Sequence, residues 1–286
     1  MLAVVSSVFA SVFLLAFQSA SRAAPRDAVV LAMLACAMVL NGGLVLARRK
    51  PRAPASRRAT WLTIAVFAAT TIGGNIGVAG ALERLGPGIT GTILQTQVFL
   101  VAVGGRLFLG EKVGPSFLAG AGLAFAGFVV LGLADPGQGR VDPAGVGFAL
   151  LASACFGGML LWTRAVIAKI EPVTVNVVRL VFAVAVMVLL PGRLGAALSL
   201  PSHVWLAIAI AAACGPFLSR LALLFAAAHL SASRTKLITL ISPVLAFGLE
   251  WAVLGTPPAA HELAAGALIL GGVLLPVALE ARARRA

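Results

Sequence analysis

Acidic residues are scarce in this chain: nine Asp and Glu stand against 22 Lys and Arg in 286 residues. Charged residues of both signs make up only 11% of it. Soluble domains carry about 25%, so a soluble globular fold is excluded. Cysteine and histidine are scarcer still, three of each. Cys36, Cys155 and Cys214 all fall within apolar stretches, where a thiol behaves as a small hydrophobe, and nothing in their spacing suits a metal. His203, His229 and His261 lie at the ends of apolar stretches and read as surface residues. With no zinc-ligand pair, nucleophile elbow or His-Asp constellation, the sequence offers no enzyme chemistry and requires no cofactor and no metal.

What the chain has instead is apolar length. Hydrophobic residues make up 60% of it and the mean hydropathy is +1.05. About 20 apolar residues cross a hydrocarbon core, and ten such spans are predicted, at 2–19, 28–47, 60–82, 89–109, 115–133, 144–166, 173–191, 203–228, 235–254 and 261–279. Backbone amides need partners inside lipid, so each span is predicted helical. The short alternating segments of a membrane β-barrel are missing. Residues 1–20 resemble a signal peptide in length, but no positive segment precedes the apolar run, so they read as span 1.

The net charge of +13 does not point to nucleic acid, because it sits at span ends and not along one face. It reads as topology. With the N-terminus inside, fifteen basic residues fall on the inner side and five on the outer, and the densest run lies at 48–58. Arg179 and Arg220 complete the 22, inside spans. Both termini are therefore predicted on the cytoplasmic side of an inner membrane.

The second five spans repeat the first five. At a shift of 145, Leu109-Gly110 falls on Leu254-Gly255, Leu85 on Leu230, Thr90 on Thr235 and Gly127 on Gly272. Trp61-Leu62 and Trp205-Leu206 open spans 3 and 8. An odd number of spans per half inverts the second half, so Trp61 and Trp205 are expected at opposite membrane interfaces. The fold class is thus all-α, ten transmembrane helices in two inverted five-helix repeats, with units at 1–134 and 144–280 and a basic tail at 281–286. Inverted repeats of this kind characterise secondary transporters.

Several motifs resemble one family. They are Leu85-Gly86-Pro87-Gly88-Ile89-Thr90-Gly91-Thr92-Ile93-Leu94-Gln95-Thr96-Gln97-Val98-Phe99, then Leu109-Gly110-Glu111, then the glycine-rich span ending Ala126-Gly127. In the second half they are Glu171-Pro172 with Arg179 seven residues past the proline, Ser242-Pro243 and Leu254-Gly255. Together they are similar to the EamA-type repeat of the drug/metabolite transporter superfamily. Thr256 stands where that repeat carries Glu, and Ala32 follows Pro25 at seven residues where it carries Arg. The resemblance implies a ten-helix, exporter-like carrier of amino acids, their metabolites or other small organic compounds.

Paired helix interruptions mark the site in such carriers. Gly73 and Gly74, beside Asn75 in span 3, and Gly215 and Pro216, near Ser219 in span 8, are the candidate breaks. Pro216 has no amide to donate, which frees the carbonyl of Ala212. In a straight helix Gln95 and Gln97 lie some 200° apart and cannot share a face. Repeat symmetry pairs Gln97 with Ser242 and favours that face for the cavity; the rival is that Gln95 lines it. Thr239 joins the candidate binding residues. Arg220 is deep in span 8, where a charge costs at least about 2.5–3.5 kcal/mol. It reads either as a ligand for a substrate carboxylate or as a snorkelling residue. Arg179, nearer its helix start, reads as snorkelling or interfacial. Glu250, near the outer end of span 9, reads as a gate or rim residue, or as the group that couples transport to a proton.

The expected activity is therefore secondary export of amino acids or related metabolites by alternating access, from a monomer or homodimer. The expected partners are a small-molecule substrate and the lipid bilayer. Movement of drugs, nucleosides or lipid-linked substrates is the alternative within the same class, and a non-transporting scaffold the alternative outside it.

Overall fold

Apolar runs without internal turn signals leave the backbone one way to satisfy its own amides, and the chain takes it along its length. The computed structural model describes residues 2–47, 57–85, 87–111, 114–133, 142–166, 172–230, 235, 238–242, 244–245, 249, 252 and 260–283. In chain order the helices are α1 (Leu2–Ala23), α2 (Arg26–Ala47), α3 (Arg57–Arg84), α4 (Pro87–Leu94), α5 (Gln97–Leu109) and α6 (Pro115–Leu133). After them come α7 (Pro143–Val166), α8 (Pro172–Leu189), α9 (Arg193–Leu198) and α10 (Val204–Ala212). A π-helical segment, Ala213–Ser219, runs on into α11 (Arg220–His229), and α12 (Ala260–Ala283) closes the chain. Among the described residues there is no strand. Proline opens α4, α6, α7 and α8, at the first helical position where its missing amide costs nothing. Gly110, at φ 63°, caps α5, and Glu111 N–H reaches back to Gly105 O at 2.9 Å. The Leu109-Gly110-Glu111 motif is thus a left-handed helix stop.

Five helical stretches among the described residues are long and apolar enough to cross a bilayer: Leu2–Ala23, Arg26–Ala47, Trp61–Arg84, Pro143–Val166 and Val204–Ala226. Shorter apolar helices accompany them at Gln97–Leu109, Pro115–Gly127, Asn176–Leu189 and Leu263–Pro276. Their outward faces are apolar, with Leu46 87%, Leu189 82% and Phe108 80% exposed. Surfaces of that kind belong against lipid.

The packing carries the repeat symmetry. α3 lies along α7, and its repeat-related partners, α10 with the π segment and α11, lie along α1. α6 lies along α12, and α2 along α8. The α6–α12 seam shows the twofold relation at atomic detail. Gly127 packs on the carbonyl of Ala265, and Gly272 packs on the carbonyl of Gly120. A shift of 145 turns the first contact into the second. The two largest cores among the described residues each draw on both halves. One gathers Phe17, Met33, Leu34, Val78, Leu180, Met187 and Ile208; the other gathers Val98, Phe117, Leu240, Ala265 and Ile269.

Candidate functional site

The repeat-related interruption lies in spans 4 and 9, and not in span 3. α4 stops at Leu94, Gln95 and Thr96 form a turn, and α5 restarts at Gln97. Bonds of the tighter three-residue kind bridge the turn: Thr96 N–H to Ile93 O at 3.0 Å, Val98 N–H to Gln95 O at 3.0 Å and Phe99 N–H to Thr96 O at 3.1 Å. The Thr96 hydroxyl also donates to Ile93 O at 2.7 Å, a local bond that competes with the helix. In the second half Leu240 and Ile241 form the matching turn, with Ile241 N–H on Ile238 O at 3.3 Å. Residues 93 and 96 map onto 238 and 241 at the repeat shift of 145.

This turn corrects two expectations. The argument that Gln95 and Gln97 cannot share a face assumes an unbroken helix; with the turn between them, both line one cavity. Gly73 and Gly74 do not break span 3, because α3 is continuous from Arg57 to Arg84. They are packing sites. A Cβ on Gly73 would lie 2.9 Å from Cys155 Sγ, and one on Gly74 would lie 2.7 Å from Phe156 Cζ, inside its ring's space. Asn75 is buried and donates its amide to Thr71 O at 2.8 Å.

Gly215 and Pro216 lie within the π-helical segment. Pro216 contributes no N–H, and at the segment's end Arg220 N–H bonds Gly215 O and Phe217 O, so it passes over the Pro216 carbonyl four residues back. That carbonyl accepts instead from Asn176 Nδ2 at 3.2 Å and Arg179 Nη2 at 3.3 Å. Arg179 is thus neither snorkelling nor interfacial. It is 2% exposed and also donates to Asn176 Oδ1 at 2.6 Å and Thr71 Oγ1 at 2.6 Å. Asn176 in turn reaches Asn41. Three elements (α3, α8 and the π segment) meet at this one guanidinium, and Asn176 ties in α2 as the fourth. Sequence reading gave Arg179 no such role, and Asn41, Thr71 and Asn176 no role at all. Their signal was polarity deep in apolar spans, which alone does not name a partner.

Between these elements lies a cavity of about 150 Å³. Asn75, Gln95, Gln97, Ser219, Arg220, Thr239 and Ser242 all line it, with Arg179, Gly215 and Pro216. So do Ser6, Ser7, Phe13 and Leu14 of α1 and Phe156 and Leu160 of α7. No Asp or Glu is among the lining residues. Glu250 lies outside the described residues. The Arg220 guanidinium sits 5.1 Å above the Phe156 ring and, among the described residues, donates to no protein acceptor. Gln95 Oε1 is buried without a hydrogen-bond partner. Gly74 makes room for Phe156, and Gly215 makes room for Phe13, whose Cδ2 would lie 2.5 Å from a Cβ there.

Serines fasten α1 across the cavity, and sequence reading missed those that α1 contributes. Ser6 Oγ donates to Ser219 O at 3.0 Å, and Ser219 Oγ to Ser6 O at 2.9 Å. Ser11 Oγ donates to Ser242 O at 2.7 Å, and Ser242 Oγ to Ser7 O at 3.2 Å. In the repeat-related helix pair, Thr96 and Ser153 hydroxyls meet at 2.9 Å.

Charges gather at one end of the bundle. Arg26 pairs with Glu83 at 3.3 Å, Arg193 with Asp27 at 3.2 Å and Arg84 with Asp142 at 3.1 Å. The guanidinium groups of Arg26 and Arg84 lie 5.2 and 5.8 Å from the Phe148 ring. Asp142 opens α7 and accepts from Ala144 N–H at 2.9 Å. That bond first, and Arg84 second, hold its carboxyl below the usual Asp range.

Comparison with known proteins accords with this geometry. A solved structure entitled only "Crystal structure of protein" shares the fold, with a TM-score of 0.72 over 98% of this chain and 97% of that one, at 21% identity. None of the curated proteins matches. The EamA-like transporter family matches twice, over residues 1–133 and 143–278, so the repeat seen in the packing is also a repeat of sequence family. The chain is a multi-pass membrane protein of the drug/metabolite transporter type and belongs to the EamA-like transporter family.

Proposed function

We propose that this protein is a ten-span secondary transporter that exports amino acids or related small metabolites by alternating access. Its two units are residues 1–134 and 144–280, followed by a short basic tail, in an inner membrane with both termini in the cytoplasm. The observation that carries the reading is the cavity itself. It lies between repeat-related helices, at the paired turns of spans 4 and 9, and holds polar side chains from both halves. The candidate binding residues are Asn75, Gln95, Gln97, Ser219, Arg220, Thr239 and Ser242. Arg220 binds a carboxylate, and the amides and hydroxyls orient the remainder of the solute.

The bodies that rock are the two packed cores and not the two repeats, since each core takes helices from both halves. With the N-terminus inside, the ion pairs around Phe148 close the outer end, and the serine contacts of α1 lie on the inner side. The solute is small and the other partner is lipid; a proton is the proposed coupling ion, and Glu250 is proposed as a gate or rim residue, or as the group that couples transport to that proton. Uptake into proteoliposomes, screened with labelled amino acids, nucleosides and cationic drugs with and without a pH gradient, tests the reading. Saturable amino-acid or carboxylate uptake supports it. Uptake confined to nucleosides or drugs replaces the substrate class, and no flux of any solute from folded protein refutes the carrier.

A further inference from the structure

The cavity has an unbalanced charge. Arg179 and Arg220 both line it, and among the described residues no carboxylate does. Arg179 spends its donors on neutral acceptors, Asn176 Oδ1, Thr71 Oγ1 and Pro216 O, so its charge is solvated but not neutralised. Arg220 has less: an aromatic face at 5.1 Å and no protein acceptor among the described residues. A guanidinium is a planar fork of donors that matches a carboxylate. Leaving a charge in an apolar surround without a counter-charge is costly, so an anion belongs beside it.

A second group narrows the ligand. Gln95 is 7% exposed, lines the same cavity, and its Oε1 has no partner. An amide oxygen is an acceptor only, so the ligand needs a donor as well as a carboxylate. Beside its polar side chains the wall presents apolar surface from Phe13, Leu14, Phe156 and Leu160. A cavity of about 150 Å³ has room for a body the size of benzene, so the ligand's body is short. The donor is either a hydroxyl or an ammonium. An ammonium would bring a third positive charge into a cavity without a carboxylate among the described residues; a hydroxyl brings none.

We infer that the substrate is a net anion, a small α-hydroxy carboxylate with a short apolar side chain, held at the carboxylate by Arg220 and at the hydroxyl by Gln95. The inference rests on the transport reading above and names the substrate class of that site. Zwitterionic amino acids are second-rank ligands, and organic cations are rejected.

The test is binding to the purified full chain in detergent micelles by titration calorimetry, with two isosteric sets. The aromatic set is 3-phenyllactate, 3-phenylpropionate, phenylalanine and 2-phenylethylamine. The aliphatic set is 2-hydroxyisocaproate, isocaproate, leucine and isoamylamine. The hydroxy acid is expected to bind tightest in at least one set, the plain acid and the amino acid each about tenfold weaker, and the amine not at all. Arg220→Gln is expected to weaken the hydroxy acid about ten- to a hundredfold, the range for a charge-assisted hydrogen bond, and Arg220→Lys to retain the preference for anions. Gln95→Leu is expected to remove only the advantage of the hydroxyl. If Arg220→Gln does not fold, the ranking on the native protein decides alone. An amine or amino acid binding as tightly as the hydroxy acid overturns the inference, as does a failure of all eight compounds to bind. Flux of zwitterions or cations in proteoliposomes would then leave the carrier standing without it, whereas the carrier itself fails only when no solute moves.

Discussion

Replacing Gly272 by alanine tests the twofold seam on which the second core is built. A Cβ at Gly272 would lie 2.6 Å from Ala124 N and 2.8 Å from Ala124 Cβ, and would run into the carbonyl of Gly120. Two of those three atoms are backbone, so no rotamer change relieves the overlap and α6 and α12 have to part. Overpacking of this kind costs about 1–3 kcal/mol. Alanine is also a better helix former than glycine by roughly 1 kcal/mol, which partly masks the cost. Gly122→Ala supplies the reference, because Gly122 lies in the facing helix α6 with nothing within 4 Å of its Cβ position. The propensity gain is common to both substitutions and cancels in the comparison. Gly272→Ala is therefore expected to be about 1–3 kcal/mol less stable than Gly122→Ala in reversible denaturation from detergent micelles. Gly120→Ala enters the same crossing, where its Cβ would lie 2.6 Å from Pro276 Cγ. The Gly120→Ala/Gly272→Ala pair should accordingly cost less than the sum of the two singles. Equal stability of Gly272→Ala and Gly122→Ala would refute the seam.

Three further outcomes follow from named contacts. Gly74→Ala displaces Phe156, a side chain and not backbone, so the protein is expected to fold while solute flux falls, because Arg220 loses its aromatic seat; unchanged flux would separate Phe156 from Arg220's function. Arg179→Lys leaves a single ammonium where three acceptors surround a guanidinium, and should lower stability by about 1–3 kcal/mol through an acceptor left unsatisfied, with a native melting curve as the contrary result. Asp142 has a lowered pKa in the folded state, so its contribution is present above the ordinary Asp value and is lost as pH falls through the depressed folded one. Asp142→Asn should flatten the acid limb of a stability–pH profile below about pH 4, and an unaltered limb would count against the Ala144 and Arg84 contacts as its cause.

Much of the fold was legible because the signals are long. An apolar run of bilayer length reads as a helix wherever it occurs, and a fixed shift of 145 relates residues regardless of what they touch. The second core and the α6–α12 crossing restate that shift in space. The site was legible by residue type: polar side chains deep in apolar spans, Arg220 above all, converge on the cavity. What failed was local geometry that depends on distant partners. Gly73 and Gly74 look like a break in isolation, yet Cys155 and Phe156, far away in sequence, make them a close-packing face. The turn at Gln95–Thr96 carries no proline or glycine of its own, so nothing in the string marked it, and the helical-wheel argument about Gln95 and Gln97 lost its premise there. Arg179 was judged by its distance from a helix end, whereas its position is set by acceptors on two other elements, Thr71 of α3 and the Pro216 carbonyl of the π segment, besides Asn176 of its own helix. Ser6, Ser7 and Ser11 recur on one face of α1, a pattern that small packing residues share with hydrogen-bonding ones.

The central claim is that one solute site is offered alternately to the two sides of the membrane. Solute counterflow tests it most directly: proteoliposomes holding the purified protein are loaded with unlabelled 2-hydroxyisocaproate and diluted into a trace of the labelled compound. Alternating access predicts a transient overshoot of label inside, abolished by Arg220→Gln. Labelled uptake that rises to equilibrium without overshoot, or no uptake of this or any other screened solute from folded protein, would contradict it.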